Sequence, residues 1–117
     1  MLGLRNLAEL FAGAARKNAM ANFSGRWFTT FGPMELTQDG NRISGSYSLE
    51  RNSCRIEGAI SDGKFQFTYQ EPSVEGEGWF ELVRHGKFAG QWRPKGSSTW
   101  SPWIGSAFFF LLSDLRF

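Results

Sequence analysis

Hydrophobic and polar side chains alternate along short stretches of this chain, which is the pattern of strands with one buried face. Phe65, Phe67 and Tyr69 interleave with polar residues over positions 64–70, and the same alternation runs through 34–38. Turn signals separate these stretches, among them two Asp-Gly pairs, which favour tight hairpins. The pattern therefore predicts strands joined by hairpins over most of the chain.

The alternating stretches and the turns between them predict eight strands. They are Phe23–Thr30, Met34–Gln38, Arg42–Leu49, Ser53–Ile60, Lys64–Gln70, Gly78–Arg84, Lys87–Arg93 and Trp100–Phe110. Every link is short except 71–77, so consecutive strands should pair in antiparallel fashion. Closing such a meander removes its exposed edges. We therefore predict an all-β fold, an eight-stranded antiparallel meander barrel with a short N-terminal helix.

A glycine followed two positions later by a bulky residue recurs through the predicted strands. The six glycines with this spacing are Gly25, Gly45, Gly58, Gly78, Gly90 and Gly105, of which the last is followed by the small Ala107. Residues two apart on a strand share a face, so where the second residue is aromatic its ring can cover the bare glycine. Repeated glycines also permit the coiling that closes a small barrel. The rings expected to fill the interior are Trp27, Tyr47, Phe65, Phe67, Phe80, Phe88 and Trp92. A packed core is favoured over a deep ligand cavity.

The first 22 residues carry a different pattern. Their large apolar side chains recur at helical spacing: Leu4, Leu7, Leu10 and Phe11. Polar residues interrupt the apolar stretch, which argues against a secretory signal, and no segment is long enough to span a bilayer as a helix. We predict a helical extension over 1–22, a barrel domain over 23–110 and a tail over 111–117. The helix either caps the barrel or docks onto a partner.

The end of the last predicted strand is apolar on both faces. Phe108, Phe109 and Phe110 are followed directly by two leucines. A surface strand normally exposes every second side chain to water, so another surface should cover this one. We expect these phenylalanines and the N-terminal helix to form the partner-docking surface.

The distribution of charge argues against nucleic-acid binding, and the cysteine content argues against a disulfide-stabilised fold. The chain has a net charge of +2, but residues 23–106 carry equal numbers of acidic and basic side chains, interspersed along the strands. Clustered cations, which nucleic-acid binding requires, are therefore not expected. Cys54 is the single cysteine and cannot form an internal disulfide. With no export signal, a cytoplasmic location is expected, with membrane association through a complex left open.

Residues with catalytic chemistry do not form a recognisable motif. His85 is the single histidine and lies in a predicted turn far from Cys54. The acidic stretch with Glu71, Glu75 and Glu77 is interpreted as a solvated loop rather than an acid–base pair or metal site. We predict no enzymatic activity, with no catalytic, cofactor-binding or metal-binding residues.

The Gly25-x-Trp27 opening ahead of an eight-strand meander resembles the avidin and lipocalin families of barrels. Residues 34–47 are similar to the second and third strands of avidin-type barrels, and Trp100-x-x-Trp103 is similar in style. The glycine–aromatic pattern is also similar to that of a class of bacterial barrel domains. The resemblance implies a meander barrel, and no ligand contacts are carried over from it. If a ligand site exists, the mouth of the barrel near Trp79, Trp100 and Trp103 is the candidate.

The leading hypothesis is a non-enzymatic interaction or accessory module that docks onto a larger protein complex, onto a membrane surface or onto a second copy of itself. A lipocalin- or avidin-like binder of a small apolar ligand is the alternative. A third reading is a proteinase inhibitor, since some bacterial inhibitors combine a similar barrel with an inserted N-terminal segment.

Overall fold

Eight antiparallel strands close into one barrel in the computed structural model, which describes residues 21–108. The strands are β1 (Gly25–Thr29), β2 (Gly32–Asp39), β3 (Arg42–Leu49), β4 (Asn52–Ser61), β5 (Lys64–Gln70), β6 (Glu75–Arg84), β7 (Lys87–Pro94) and β8 (Ser101–Ala107). Each strand pairs with the next, and β8 pairs back onto β1 through Trp27–Ala107 and its neighbours. The all-β antiparallel barrel predicted from the alternation is confirmed.

Strand β6 begins at Glu75, three residues before the predicted start. The prediction was wrong here because a run of Glu and Gly was interpreted as loop. Gly76 and Gly78 take the buried positions of this segment, and Glu75 and Glu77 face solvent. The acidic residues therefore alternate with glycine as a strand requires, and only 71–74 form the link from β5.

Strand β8 ends at Ala107, so its predicted extension to Phe110 is also wrong. Phe108 is the last described residue and lies outside the strand, while Phe109 and Phe110 lie beyond the described residues. Nearly all of the predicted N-terminal helix is outside them too. The two residues of it that are described, Ala21 and Asn22, belong to neither a helix nor a strand.

The segment before β1 closes one end of the barrel. Phe23 is fully buried, with its ring centroid 5.7 Å from that of Phe65. Its carbonyl accepts a hydrogen bond from the Trp27 indole at 2.8 Å. The Gln38 side chain makes two hydrogen bonds to this segment. Its carbonyl oxygen accepts from the Phe23 N–H at 2.8 Å, and its NH2 group donates to the Ala21 carbonyl at 3.0 Å. We call this the Phe23 end; the turns after β2, β4 and β6 share it.

Aromatic rings fill the interior. Trp103 lies among them, in near-perpendicular contact with Phe67 and Phe80 at centroid distances of 5.7 and 5.1 Å. Phe80 stacks on Phe88 at 4.0 Å. Six of the seven rings expected in the core are buried, and Trp92 is half-buried. Phe23 and Trp103 are core residues that the sequence interpretation missed.

Two glycines show why the repeat suits this core. A β-carbon on Gly78 would lie 2.5 Å from both the Phe67 ring and the Gln91 carbonyl oxygen. A β-carbon on Gly90 would run into the backbone carbonyl of Trp79 on the neighbouring strand. At these positions a ring or the adjacent backbone takes the space of a side chain, so glycine allows the close approach that a narrow barrel needs.

Candidate functional site

The end of the barrel opposite Phe23 is lined by aromatic rings, and we call it the aromatic end. Phe31 follows β1 there, and its centroid lies 5.4 Å from that of Trp92 and 5.1 Å from that of Trp103. Tyr47 approaches Trp103 at 5.2 Å, and Tyr69 approaches Trp92 at 6.1 Å. Five rings from five different strands or turns therefore meet at this end.

Glu71 brings a carboxylate to this group of rings. The Tyr47 hydroxyl donates a hydrogen bond of 2.7 Å to one of its oxygens. Burial, and then the hydrogen bond to Glu71, raise the pKa of Tyr47 above its ordinary value. Burial, and then the nearby Glu71 charge, raise the pKa of Tyr69 to about 12. Within residues 21–108, no lysine or arginine forms an ion pair with Glu71. The Glu71 carboxylate therefore has no lysine or arginine partner among the described residues.

Three buried polar atoms at this end lack a hydrogen-bond partner. They are the Tyr69 hydroxyl and the indole nitrogens of Trp92 and Trp103. Tyr69 and Trp103 are each 2% exposed, so water has little access to these groups. A buried polar group without a partner costs about 1–3 kcal/mol, so these three atoms are among the least favourably placed polar groups in the described part of the barrel.

A cleft of about 650 Å³ opens beside the aromatic end. Tyr69 and Gly76 line it on one side, and the loop 95–98 lines it on the other. The charged side chains in its lining form two ion pairs, Lys95 with Glu75 at 3.2 Å and Arg93 with Glu77 at 2.6 Å. The cleft lies next to the unpartnered Tyr69 and has the volume typical of small-molecule sites.

The three tryptophans expected at a ligand mouth do not lie together. Trp79 and Trp100 line an outer groove of about 710 Å³, where the Lys64 ammonium lies 4.8 Å from the Trp79 ring and the Arg93 guanidinium 4.3 Å from the Trp100 ring. Trp103 instead lies in the core. Trp103 is on the inward side of β8, whereas Trp100 precedes the strand and is exposed.

An apolar surface covers the outside of the closing strands, and we call it the β8 face. It comprises Phe28, Ala89, Pro102, Ile104 and Phe108. Phe28 is 42% exposed and Ile104 59% exposed, and Phe28 stacks on Phe108 at 5.4 Å. The outward positions of β8 are Pro102, Ile104 and a serine, with no ionisable side chain. Apolar groups thus remain in contact with water on this surface, and the Lys87 ammonium lies beside them, 3.1 Å from the Ser106 hydroxyl.

The predicted docking residues fall mostly outside the described range. Leu4, Leu7, Leu10 and Phe11 precede it, and Phe109 and Phe110 follow it. Phe108 is described, is half-buried and belongs to the β8 face through its contact with Phe28.

Sequence interpretation missed both the aromatic-end cluster and Phe28. The Pro102-x-Ile104-x-Ser106 alternation could have revealed the uncharged outer face of β8. The Tyr47–Glu71 pair joins residues 24 positions apart, and no local signal reveals it.

The chain matches no protein-family model, no curated protein and no solved structure at a significant level. No helix within the described residues is long and apolar enough to cross a bilayer. The same part of the chain contains no cluster of three metal-ligating side chains.

Proposed function

We propose that this protein is a protein-docking module whose β8 face packs against a second copy of the chain. The observation that carries the proposal is the exposure of Phe28 and Ile104 on neighbouring strands of the barrel surface. Exposed apolar area of this kind is unfavourable in an isolated soluble protein and is typical of an interaction surface. Burying it between two barrels removes both side chains from water.

The absence of ionisable groups on the outward side of β8 favours a second copy as the occupant. A twofold interface places each surface against itself, so any charge there would meet a like charge near the axis. The described ion pairs lie elsewhere: Arg26 with Glu35, Arg55 with Glu57, Arg93 with Glu77 and Lys95 with Glu75. The described charge beside the β8 face is the Lys87 ammonium, 3.1 Å from the Ser106 hydroxyl, so a twofold arrangement must keep the two ammonium groups away from its axis.

The sequence beyond the described residues extends this apolar character. Phe108 already stacks on Phe28, and the chain continues as Phe-Phe-Leu-Leu over 109–112. This continuity supports a larger apolar surface centred on β8, in keeping with the docking role expected of the phenylalanines.

The proposal is tested by sedimentation of the full chain over a wide concentration range. The wild type should show a monomer–dimer equilibrium. The double variant Phe28→Ser, Ile104→Ser should be monomeric, with an unchanged circular dichroism spectrum. Val83→Ser is the matched control, since Val83 is 60% exposed but lies near the end of β6, and it should dimerise normally.

A wild type that stays monomeric at high micromolar concentration would overturn the second copy as the occupant. A dimer that survives in the double variant would show that another surface forms the interface. A monomeric wild type that binds a purified protein partner through the same two residues would place a different protein on the β8 face.

Small-molecule binding is the second candidate function, and the cleft of about 650 Å³ beside the aromatic end favours it. Rings fill the interior, so such a ligand would bind at that end rather than deep within the barrel.

A further inference from the structure

We propose that the outer surface of β5, β6 and β7 binds a neutral oligosaccharide chain of β-linked glucose. The site combines the outer groove lined by Trp79 and Trp100 with the cleft of about 650 Å³ beside it, and we call the two together the trough. The proposal rests on the second candidate function and gives it a ligand class. The trough shares no lining residue with the β8 face, so the docking proposal stands or falls separately.

The trough offers an extended ligand both room and access. The groove and the cleft have volumes of about 710 and about 650 Å³, and both open onto the barrel surface. Thr68, Glu77 and Arg93 belong to both linings and lie side by side in the register of β5, β6 and β7. Thr68 and Glu77 are exposed, so a ligand can reach the junction without unpacking the core. Two open depressions that adjoin in this way suit a linear chain better than a compact molecule.

The two tryptophans account for the apolar faces of the sugar rings. The substituents of β-linked glucose are equatorial, so both faces of each sugar ring present C–H groups that can pack on an indole. Lys64 covers one face of the Trp79 ring and Arg93 one face of the Trp100 ring, while both rings line the groove. The Arg93 guanidinium is itself held, because its Nε donates to Glu77 at 2.7 Å. Trp100 is therefore positioned before a ligand arrives, which lowers the entropic cost of binding.

Polar side chains along the trough account for the sugar hydroxyls. A hydroxyl both donates and accepts hydrogen bonds, and the side chains of Gln66, Thr68 and Gln70 can do both as well. These three alternate along the exposed face of β5. Ser97 and Ser98 add two further hydroxyl groups in the cleft. A row of such groups can make repeated hydrogen bonds to a chain of repeated sugar units.

The charges of the trough favour a neutral chain over a charged one. Arg93 pairs with Glu77 at 2.6 Å, and Lys95 pairs with Glu75 at 3.2 Å. A charged polymer would compete with these pairs and separate groups that now neutralise each other. Single-stranded nucleic acid also stacks on aromatic rings, but it binds grooves with an excess of cations, whereas acidic and basic side chains are mixed in this lining.

Isothermal titration of the full chain with cellohexaose tests the inference. Cellohexaose should bind saturably and change the tryptophan fluorescence. Cellobiose covers only part of the trough and should bind at least about tenfold more weakly. Maltohexaose has the same composition, but its α-links curve the chain away from a straight trough, so it should also bind more weakly than cellohexaose.

Two variants and one control assign the binding to the trough. Trp100→Ala removes an exposed ring outside the strands, and it should weaken cellohexaose binding about tenfold or more with an unchanged circular dichroism spectrum. Gln66→Ala removes one exposed amide and should weaken binding to a smaller extent. Val74→Ser changes a side chain that is 43% exposed but lies outside both linings, and it should bind cellohexaose as the wild type does.

Absence of saturable cellohexaose binding to the wild type would overturn the inference, as would equal binding of maltohexaose or normal binding by Trp100→Ala. Tighter binding of a single-stranded oligothymidine would overturn it in favour of nucleic acid. Equal binding of cellobiose would confine the ligand to one depression, which overturns the chain but not the second candidate function. The association-deficient variant Phe28→Ser, Ile104→Ser should retain cellohexaose binding, so failure of the docking proposal would not be mistaken for failure of this one.

Discussion

At the scale of single residues, the turn between β3 and β4 holds two side-chain-bearing residues in an unfavourable backbone conformation. Glu50 and Arg51 form the two-residue turn between β3 and β4, and both have positive φ, 49° and 71°. Side chains other than Gly, Asn and Asp are disfavoured in that region. The equivalent turn after β4 uses Asp62 and Gly63, which suit the same geometry. The two turns therefore differ in how well their residues fit their backbone.

Replacing Glu50-Arg51 with Asn-Gly should stabilise the protein. Both native φ values are compatible with the new residues, so the strain is relieved without loss of a described side-chain contact across the barrel. We expect a gain of about 1–2 kcal/mol in the free energy of unfolding, measured by urea denaturation. Gly63→Arg is the converse control and should lose stability; a loss in the Asn-Gly variant would contradict this account of the turn.

The raised pKa of Tyr69 at the aromatic end predicts a loss of stability at alkaline pH. Burial, followed by the Glu71 charge, raises the pKa of Tyr69 to about 12 from an unfolded value near 10. The folded state therefore favours the neutral phenol. The stability gained by keeping Tyr69 neutral is complete below pH 10. It is lost as the pH rises from 10 towards 12, because Tyr69 ionises at lower pH in the unfolded chain than in the folded protein.

Urea denaturation at several pH values between 9 and 12 measures this loss. Tyr69→Phe has no ionisable group to lose, so its stability should fall less steeply than that of the wild type over this interval. Identical slopes in the two proteins would contradict the assignment to Tyr69.

At the scale of strands, register and glycine placement decide how tightly the barrel closes. Gly90 pairs with Phe80 on β6 and with Trp103 on β8, so it lies opposite two of the largest core residues. The neighbouring backbone occupies the position of its missing β-carbon. Any side chain there would push β6 and β7 apart at the centre of the core.

Gly90→Ala should therefore be strongly destabilising despite adding only one methyl group. Overpacking of this kind costs about 1–3 kcal/mol, and the clash with rigid backbone places this variant at the upper end. Gln91→Ala is the control, because Gln91 is on the outer face of the same strand, and its effect should be small. Thermal melts that are equal for Gly90→Ala and Gln91→Ala would contradict the packing role of the glycine.

The strands were predictable from sequence because alternation and turn residues are local signals. Residues 64–70 alternate without a break, and β5 has the predicted bounds. The start of β6 was missed because Glu and Gly both disfavour strands on average, whereas here the inward glycines make room for the Tyr69 and Phe67 rings. The aromatic-end cluster could not be predicted, because it depends on which buried donors lack partners once the barrel has closed.

At the scale of the whole molecule, the barrel extends beyond its strands. Phe23 precedes β1 but is as deeply buried as the rings of β5 and β6. Its backbone N–H and carbonyl both hydrogen-bond within the barrel, to Gln38 and Trp27. The folded unit therefore includes the segment that closes the Phe23 end.

Phe23→Ala should lower the free energy of unfolding by about 3–5 kcal/mol, as expected for a large ring removed from a core. Ser24→Ala, at the exposed neighbouring position, should change it by less than about 0.5 kcal/mol. Chemical denaturation measures both. A small effect of Phe23→Ala would show that the barrel is stable without its closing segment.

The placement of Ala21 and Ala107 has a practical consequence for work with this protein. Ala21 is held by Gln38 at the Phe23 end, and the Ala107 N–H donates to the carbonyl of Gly86 in a turn at that same end. The chain thus enters and leaves the barrel on the side away from Phe31 and Glu71. A tag, fusion protein or sensor surface attached through either flanking segment should present the aromatic end towards bulk solution, so an immobilised chain is suited to screening small ligands.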